Sequence, residues 1–192
     1  MLQERMSIRD DRRAAALERM ADHLLAEGLA GASLRPLAKA AGISDRMLLY
    51  YFDDKEEVLA LTLLTIAGRL QAALASVAPE PRSPEQLAPA LWSVLQGADM
   101  RPVMALWLEI SAAAARGQPP FAAVSGQIAD GFVAWVEARL DAPPGADRRA
   151  LAALLLGTLD GLVMLDGVGR GTLAQSALEA WPFLTKGLPS LE

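Results

Sequence analysis

The 192-residue sequence contains no cysteine and only one histidine, and both shortages limit its chemistry. Without cysteine the chain has no disulfide framework, no thiolate metal site and no thiol nucleophile. His23 has no carboxylate at metal-binding spacing, and no predicted strand leads into a glycine-rich phosphate loop. We therefore predict no metal ion, no cofactor and no catalytic residue, and interpret His23 as a surface or boundary residue.

β-Branched residues are also sparse, and no stretch alternates polar and apolar residues with the period of two typical of a strand. Alanine and leucine dominate instead, which favours an all-α protein. The longest apolar run, residues 150–164, is interrupted by Asp160, and the N-terminus is charged where a signal peptide would be apolar. We expect a cytoplasmic protein that has no membrane span.

Excess positive charge is missing as well, since the net charge is −5. Residues 1–50 nevertheless carry eight basic and seven acidic side chains, so this segment is close to neutral. Any DNA binding must then depend on where a few cations are placed rather than on total charge. The candidate cations are Arg9, Arg12, Arg13, Arg35, Lys39, Arg46 and Lys55.

Residues 33–55 predict two short helices joined by a tight turn. Gly42 suits the left-handed position at the end of the first helix, and Ser44 is a favourable N-cap for a second helix over residues 45–52. Two helices joined in this way form a helix-turn-helix, whose second helix can enter the DNA major groove. The alternative is an ordinary corner between packed helices of an all-α protein.

A wider pattern surrounds this turn: a helix ending at Gly28, then Ala41-Gly42-Ile43-Ser44, Leu48, Tyr51-Phe52 and Asp54-Lys55-Glu56. The pattern, over residues 10–60, resembles the DNA-binding domain of the TetR family of transcriptional regulators. The resemblance implies a three-helix DNA-binding domain at residues 1–55 and a helical ligand-binding and dimerisation domain at residues 56–192. It also implies that Leu48 faces the core. The predicted DNA-binding residues are Arg35, Ser44, Asp45, Arg46, Leu49, Tyr50, Tyr51 and Lys55.

The prolines of residues 79–84 break the chain, and five further helices are predicted at about 84–98, 101–116, 119–141, 147–170 and 172–187. A few large side chains stand among many alanines in this region. They either fill a helical core or line a cavity for an apolar ligand. The predicted pocket residues are Trp92, Met104, Trp107, Phe132, Trp135 and Met164.

Gly157 and Gly161 lie four residues apart, and helical glycines are destabilising unless something packs closely against them. Resemblance to the TetR family implies that helices near this point form a homodimer interface, while the alternative is tight packing within one subunit. The predicted dimer residues are Leu151, Leu155, Thr158, Leu162 and Trp181.

Together these features predict a ligand-responsive repressor that binds a palindromic DNA operator as a homodimer and responds to an apolar small molecule. The alternative is a helical protein that binds apolar small molecules and has no DNA function.

Overall fold

The computed structural model describes the backbone of residues 2–185 and the side chains of residues 9–182. This part of the chain is all-α, as predicted, and its only β feature is an isolated bridge between Arg82 and Leu140. Short 3₁₀ helices cover Gly28–Gly31 and Ala98–Met100. The α-helices are α1 (Leu2–Glu27), α2 (Leu34–Ala41), α3 (Asp45–Tyr51), α4 (Lys55–Val77), α5 (Pro84–Leu95), α6 (Arg101–Ala115), α7 (Phe121–Glu137), α8 (Arg148–Gly167) and α9 (Gly171–Thr185).

Helix α1 begins at Leu2, whereas the apolar stripe in the sequence starts only at about residue 11. The additional residues include neither glycine nor proline, and most are good helix formers, so they extend the helix without needing a buried face. At the other end of the chain, the predicted end of the last helix at residue 187 lies outside the described residues.

The chain forms two compact units, each drawn from two stretches of sequence. Unit 1 comprises Met1–Arg69 and Ala105–Gly126, and unit 2 comprises Leu70–Met104 and Gln127–Glu192. Helices α4, α6 and α7 therefore contribute residues to both units. These boundaries separate groups of residues that pack together. The predicted boundary at residue 55 instead separates a DNA-binding from a ligand-binding function, and it stays a prediction.

In unit 1, α1 packs against α2 and α2 packs against α3. Met20, Leu24, Leu37, Leu48 and Val58, from four different helices, are all fully buried. Burial of these side chains is the main favourable term that holds the three N-terminal helices against α4.

An ion-pair network also joins α1 to α4. Arg69 donates from Nε to Glu18 at 2.8 Å and from Nη1 to Asp22 at 2.7 Å. Burial lowers the pKa of Arg69, but the hydrogen bonds and negative charges of Glu18 and Asp22 outweigh it and raise the pKa above its ordinary value.

The turn after α1 is hydrogen-bonded to a carboxylate of α6. This part of α6 belongs to unit 1, as the turn does. Gly28 has φ of +64°, and the next N–H, that of Leu29, donates to Glu109 Oε2 at 2.7 Å. A Cβ at Gly28 would lie 2.8 Å from Glu109 Oε1. Position 28 therefore needs glycine both for its backbone conformation and for the approach of the carboxylate.

In unit 2, α8 packs against α9, and α5 packs against both. Leu87, Leu91 and Leu155 are fully buried there, and the Trp181 indole N–H donates to the Pro84 carbonyl at 3.0 Å. These contacts hold α5 against both α8 and α9.

The proline-containing segment after α4 is hydrogen-bonded to the residues that follow α7. The N–H of Arg82 donates to the Arg139 carbonyl at 2.9 Å, and the N–H of Asp141 donates to the Arg82 carbonyl at 2.8 Å. Arg139 in turn donates from Nε to the Ala78 carbonyl at 3.2 Å. The segment that leads into α5 is thus fixed by backbone hydrogen bonds within unit 2.

Two helices, α4 and α8, are long and apolar enough to cross a membrane when length and composition alone are considered. Core helices of globular proteins meet the same criterion. In α4, Val58, Leu59 and Leu63 are buried against the protein itself. The absence of a membrane span therefore stays a prediction.

Candidate nucleic-acid interface

The turn between α2 and α3 is built as predicted. Gly42 has φ of +74°, its N–H donates to the Lys39 carbonyl at 3.1 Å, and the Ile43 N–H donates to the Ala38 carbonyl at 3.0 Å. These bonds satisfy carbonyls that the end of α2 leaves unpaired. Arg19 of α1 adds a bond from Nη1 to the Ala41 carbonyl at 3.0 Å, a contact that the sequence pattern does not reveal.

Ser44 begins α3 as its N-cap. The residue is extended, with φ of −77° and ψ of 157°, and its Oγ accepts a hydrogen bond from the Met47 N–H at 3.2 Å. This is the standard geometry of a serine cap. The Gly42 turn and the Ser44 cap together fix the direction in which α3 leaves the turn.

Helix α3 has one face in the core and one face in solvent. Leu48 is fully buried, as predicted, and Phe52 just after the helix is buried with it. Leu49 is 48% exposed and Tyr50 is 63% exposed. The exposed side chains of α3 among the predicted DNA-binding residues are those of Asp45, Arg46, Leu49 and Tyr50.

Tyr51 differs from the prediction that it meets DNA together with its neighbours. It is only 8% exposed, because it follows Leu48 by three residues and therefore shares the buried face of the helix. Its ring packs edge to face against Tyr50, with the ring centroids 5.5 Å apart. Tyr51 supports the exposed tyrosine instead of forming the outward surface.

Two arginines of α1 reach α3 and the residue after it. Arg9 places its guanidinium carbon 5.3 Å from the Tyr50 ring centroid and donates to the Tyr50 carbonyl at 3.4 Å. Arg13 places its guanidinium carbon 4.9 Å from the Phe52 ring centroid. The sequence identified both arginines only as candidate cations, because their contacts depend on how α1 packs in three dimensions.

The start of α4 is capped by an acidic cluster. Asp54 Oδ1 accepts from the Glu57 N–H at 2.7 Å, and Glu57 in turn accepts from the Asp53 N–H. Glu57 also forms an ion pair with Arg13 at 2.6 Å. Lys55 is exposed beside this cap, as is Arg35 at the start of α2, so both cations are accessible to phosphate groups.

Comparison with known proteins places this helix-turn-helix in a family. A sequence model described as "Bacterial regulatory proteins, tetR family" matches residues 17–62, which include α2, α3 and the start of α4. This segment of the chain belongs to the TetR family. The helices within it form a DNA-binding domain of that family, and comparison with curated proteins gave no match.

Solved structures share the fold of this chain over most of its length. A transcriptional regulator from Rhodococcus sp. Rha1 is 25% identical, with 94% of this chain and 98% of that chain covered and a TM-score of 0.71. A TetR-family transcriptional regulator from Cytophaga hutchinsonii is 16% identical, with 96% and 98% covered and a TM-score of 0.74. The multidrug binding protein EbrR, solved in complex with proflavin, is 24% identical, with 88% and 99% covered and a TM-score of 0.62.

The predicted pocket residues differ in how deeply they are buried. Trp92, Met104 and Phe132 are buried, Trp107 and Trp135 are half-buried, and Met164 is 54% exposed on α8. The Trp135 ring already faces the Arg139 guanidinium, whose carbon is 3.9 Å from the ring centroid. The Trp92 indole N–H is buried and has no hydrogen-bond partner within the described part of the chain. The exposure of Met164 gives no support to its assignment to a pocket.

Three of the five predicted dimer residues lie on buried sides of their helices. Leu155, Leu162 and Trp181 are buried inside unit 2, so they stabilise one chain and are not available to a second. Leu151 and Thr158 are half-buried. The error arose because α8 carries leucine on both faces, so its sequence alone does not distinguish the inner from the outer face.

The outward face of α8 is also apolar. Leu154 is 50% exposed, Met164 is 54% exposed and Val168, just after the helix, is 66% exposed. Gly157 and Gly161 lie between them, and a Cβ at either glycine would meet nothing within 4 Å in the described chain. These five residues follow one another at alternating spacings of three and four. We call them the α8 stripe.

Groups that could bind a metal ion are absent from the described residues, where three or more His, Asp or Glu side chains never gather in a suitable cluster.

Proposed function

We propose that this chain is a ligand-responsive transcriptional repressor that binds a palindromic DNA operator as a homodimer. The observation that carries the proposal is the exposed face of α3. There, Arg46, Leu49 and Tyr50 project from a helix whose direction is fixed by Gly42 and Ser44. Helix-turn-helix proteins read base edges with the same face of their second helix.

The charges near this face suit a local contact with DNA. Arg46 is exposed and forms no ion pair among the described side chains, so its guanidinium is free for the O6 and N7 atoms of guanine. Arg35 and Lys55 would contact phosphates and fix the orientation of the head. Asp45 would be repelled by phosphate and would instead accept a hydrogen bond from a cytosine amine.

A homodimer would use the α8 stripe. Two copies of α8 that face each other would remove Leu154, Met164 and Val168 from water, and the glycines would allow the two backbones to approach closely. A two-fold dimer presents two recognition helices, as a palindromic operator requires.

The effector is proposed to be an apolar small molecule that binds within residues 56–192. EbrR, which shares the fold, has been solved with proflavin. Trp92 would donate its unpartnered indole N–H to an acceptor on such a molecule. Release from DNA requires that the ligand bind more tightly to the conformation that does not fit the operator. We expect the protein to act in the cytoplasm, without catalytic activity.

The test is a fluorescence-anisotropy measurement of DNA binding by the purified full-length protein. The probe is DNA from upstream of its own coding region, compared with scrambled DNA of equal length over a salt series. Arg46→Ala should weaken specific binding by about tenfold or more, because one bidentate contact to guanine provides about 1–3 kcal/mol. Arg101→Ala, which removes an exposed arginine at the start of α6 in unit 2, is the control with the same change in charge.

Equal losses in the two variants would show that only total charge matters and would contradict readout by α3. Equal binding of upstream and scrambled DNA by a folded protein would favour the alternative, a helical protein that binds apolar small molecules. Titration with proflavin, followed by its fluorescence, then measures ligand binding, which both readings expect and which should not depend on Arg46.

A further inference from the structure

The outward face of α3 is more apolar than a surface that reads bases mainly by hydrogen bonds. Met47, Leu49 and Tyr50 are among the large apolar side chains that remain exposed in the described chain. Arg46 is the sole cation of the helix, and Asp45 beside it cancels its charge. Direct polar readout by α3 is therefore limited to Arg46, Asp45 and the Tyr50 hydroxyl.

Tyr50 is held in place before any partner binds. The Arg9 guanidinium lies 5.3 Å from the centre of its ring, and Tyr51 packs against the same ring edge to face. An ordered ring loses less conformational entropy on binding than a mobile one. Arg9 also places a positive charge at the border of the apolar face, which favours a polyanion over an apolar protein partner.

The major groove of DNA offers one apolar group to such a face, the C5-methyl group of thymine. We propose that α3 reads thymine methyl groups through Leu49 and the ring of Tyr50, with Arg46 as its single cationic base reader. Leu49 and Tyr50 follow Arg46 by three and four residues and therefore share its side of the helix. Each operator half-site accordingly contains a guanine with thymines close to it. This inference rests on the proposed function, because it specifies the DNA that the function requires.

The test removes methyl groups and nothing else. Duplexes are selected from a random library with the full-length protein, and the enriched site is then made with thymine or with deoxyuridine throughout. The wild type should bind the uracil duplex about fourfold more weakly for each methyl group that it buries, or about fifteenfold when each of two heads buries one.

Variants then assign this discrimination to residues. The double variant Leu49→Ala, Tyr50→Ala should bind the thymine and uracil duplexes within about twofold of each other, because its methyl contacts are gone. Arg46→Ala should bind both duplexes more weakly but keep the wild-type ratio between them.

The outcomes separate this inference from the proposed function. Enrichment of a site whose thymine and uracil forms bind equally would overturn methyl readout and leave the repressor proposal standing. A uracil effect that persists in the double variant would overturn the assignment to Leu49 and Tyr50. A failure to enrich any site would overturn the proposed function, and this inference with it.

Discussion

Trp92 and Trp181 place the same indole group in two different surroundings. Both side chains are buried in unit 2, but only Trp181 donates its N–H to an observed acceptor, the Pro84 carbonyl, at 3.0 Å. The Trp92 N–H has no partner within the described chain. Burial of an unpaired donor is unfavourable, whereas a satisfied hydrogen bond stabilises the fold.

Substitution by phenylalanine should therefore affect the two positions differently. Both changes shrink a buried ring, but Trp181→Phe also removes a hydrogen bond that contributes about 1 kcal/mol. We expect Trp181→Phe to lower the free energy of unfolding more than Trp92→Phe does, as measured by urea denaturation. An equal loss would indicate that the Trp92 N–H is also satisfied, for example by buried water.

Gly28 and Gly145 offer another matched pair, since both have positive φ, at +64° and +84°. An alanine at either position incurs left-handed backbone strain of about 1 kcal/mol. At Gly28 the new methyl group would also displace the Glu109 carboxylate, whereas a Cβ at Gly145 meets nothing within 4 Å.

We predict that Gly28→Ala destabilises the protein by about 1 kcal/mol more than Gly145→Ala, because the bond from the Leu29 N–H to Glu109 is lost as well. A double-mutant cycle with Glu109→Ala, followed by urea denaturation, isolates this contribution. Additive effects of the two substitutions would show that the methyl group and the carboxylate do not compete.

At the level of single elements, α2 and α3 both begin at a serine, but only one serine acts as a side-chain cap. Ser44 Oγ accepts from the Met47 N–H, while Ser33 makes no such bond. We expect Ser44→Ala to destabilise the protein by about 1 kcal/mol and Ser33→Ala to have a much smaller effect. Thermal unfolding followed by circular dichroism tests this difference. Ser33 and Ser44 both have extended backbones. Equal shifts in Tm would therefore show that the hydrogen bond of the Ser44 side chain adds no measurable stability.

The helix-turn-helix could be predicted from sequence because its signals are local. Gly42 and Ser44 act within a few residues, through one backbone conformation and one cap. The orientation of α3 was harder to predict, because a helix of seven residues makes only two turns and its faces are set by packing against α1 and α2. Tyr51 was misassigned for this reason. The contacts of Arg9 with Tyr50 and of Arg13 with Glu57 likewise depend on residues more than forty positions away in sequence.

At the level of the whole molecule, the packing of α8 could not be derived from its pattern. Hydrophobic periodicity predicts one buried stripe, but α8 has a buried row that includes Leu155 and Leu162 and an exposed row that includes Leu154 and Met164. When both rows are apolar, only the position of the neighbouring helices decides which one is inside. The existence of the helix was therefore predictable, and which of its two apolar sides is buried was not.

Substitution of Gly161 should have opposite effects on the stability of one chain and on the association of two chains. In one chain, Gly161→Ala should stabilise α8 by about 0.5–1 kcal/mol, because the new Cβ has open space around it. In a dimer packed through the α8 stripe the same methyl group should weaken association, which sedimentation equilibrium would detect. Gly126→Ala on α7 is the control, since it also meets open space and should leave association unchanged. Unchanged association in Gly161→Ala would place the dimer contact elsewhere.

Because unit 1 is formed from two separate stretches of sequence, it cannot finish folding early during synthesis. The ribosome completes the helix-turn-helix early, but the second stretch of its compact unit, Ala105–Gly126, emerges only after residues 70–104 of unit 2. Nascent domains generally fold as units from the N-terminus. Here the first unit to be started is not complete until residue 126 has been added. An unfinished polypeptide that stops before α6 would therefore carry α3 without all of the packing that supports it, and it should not compete with the finished protein for DNA.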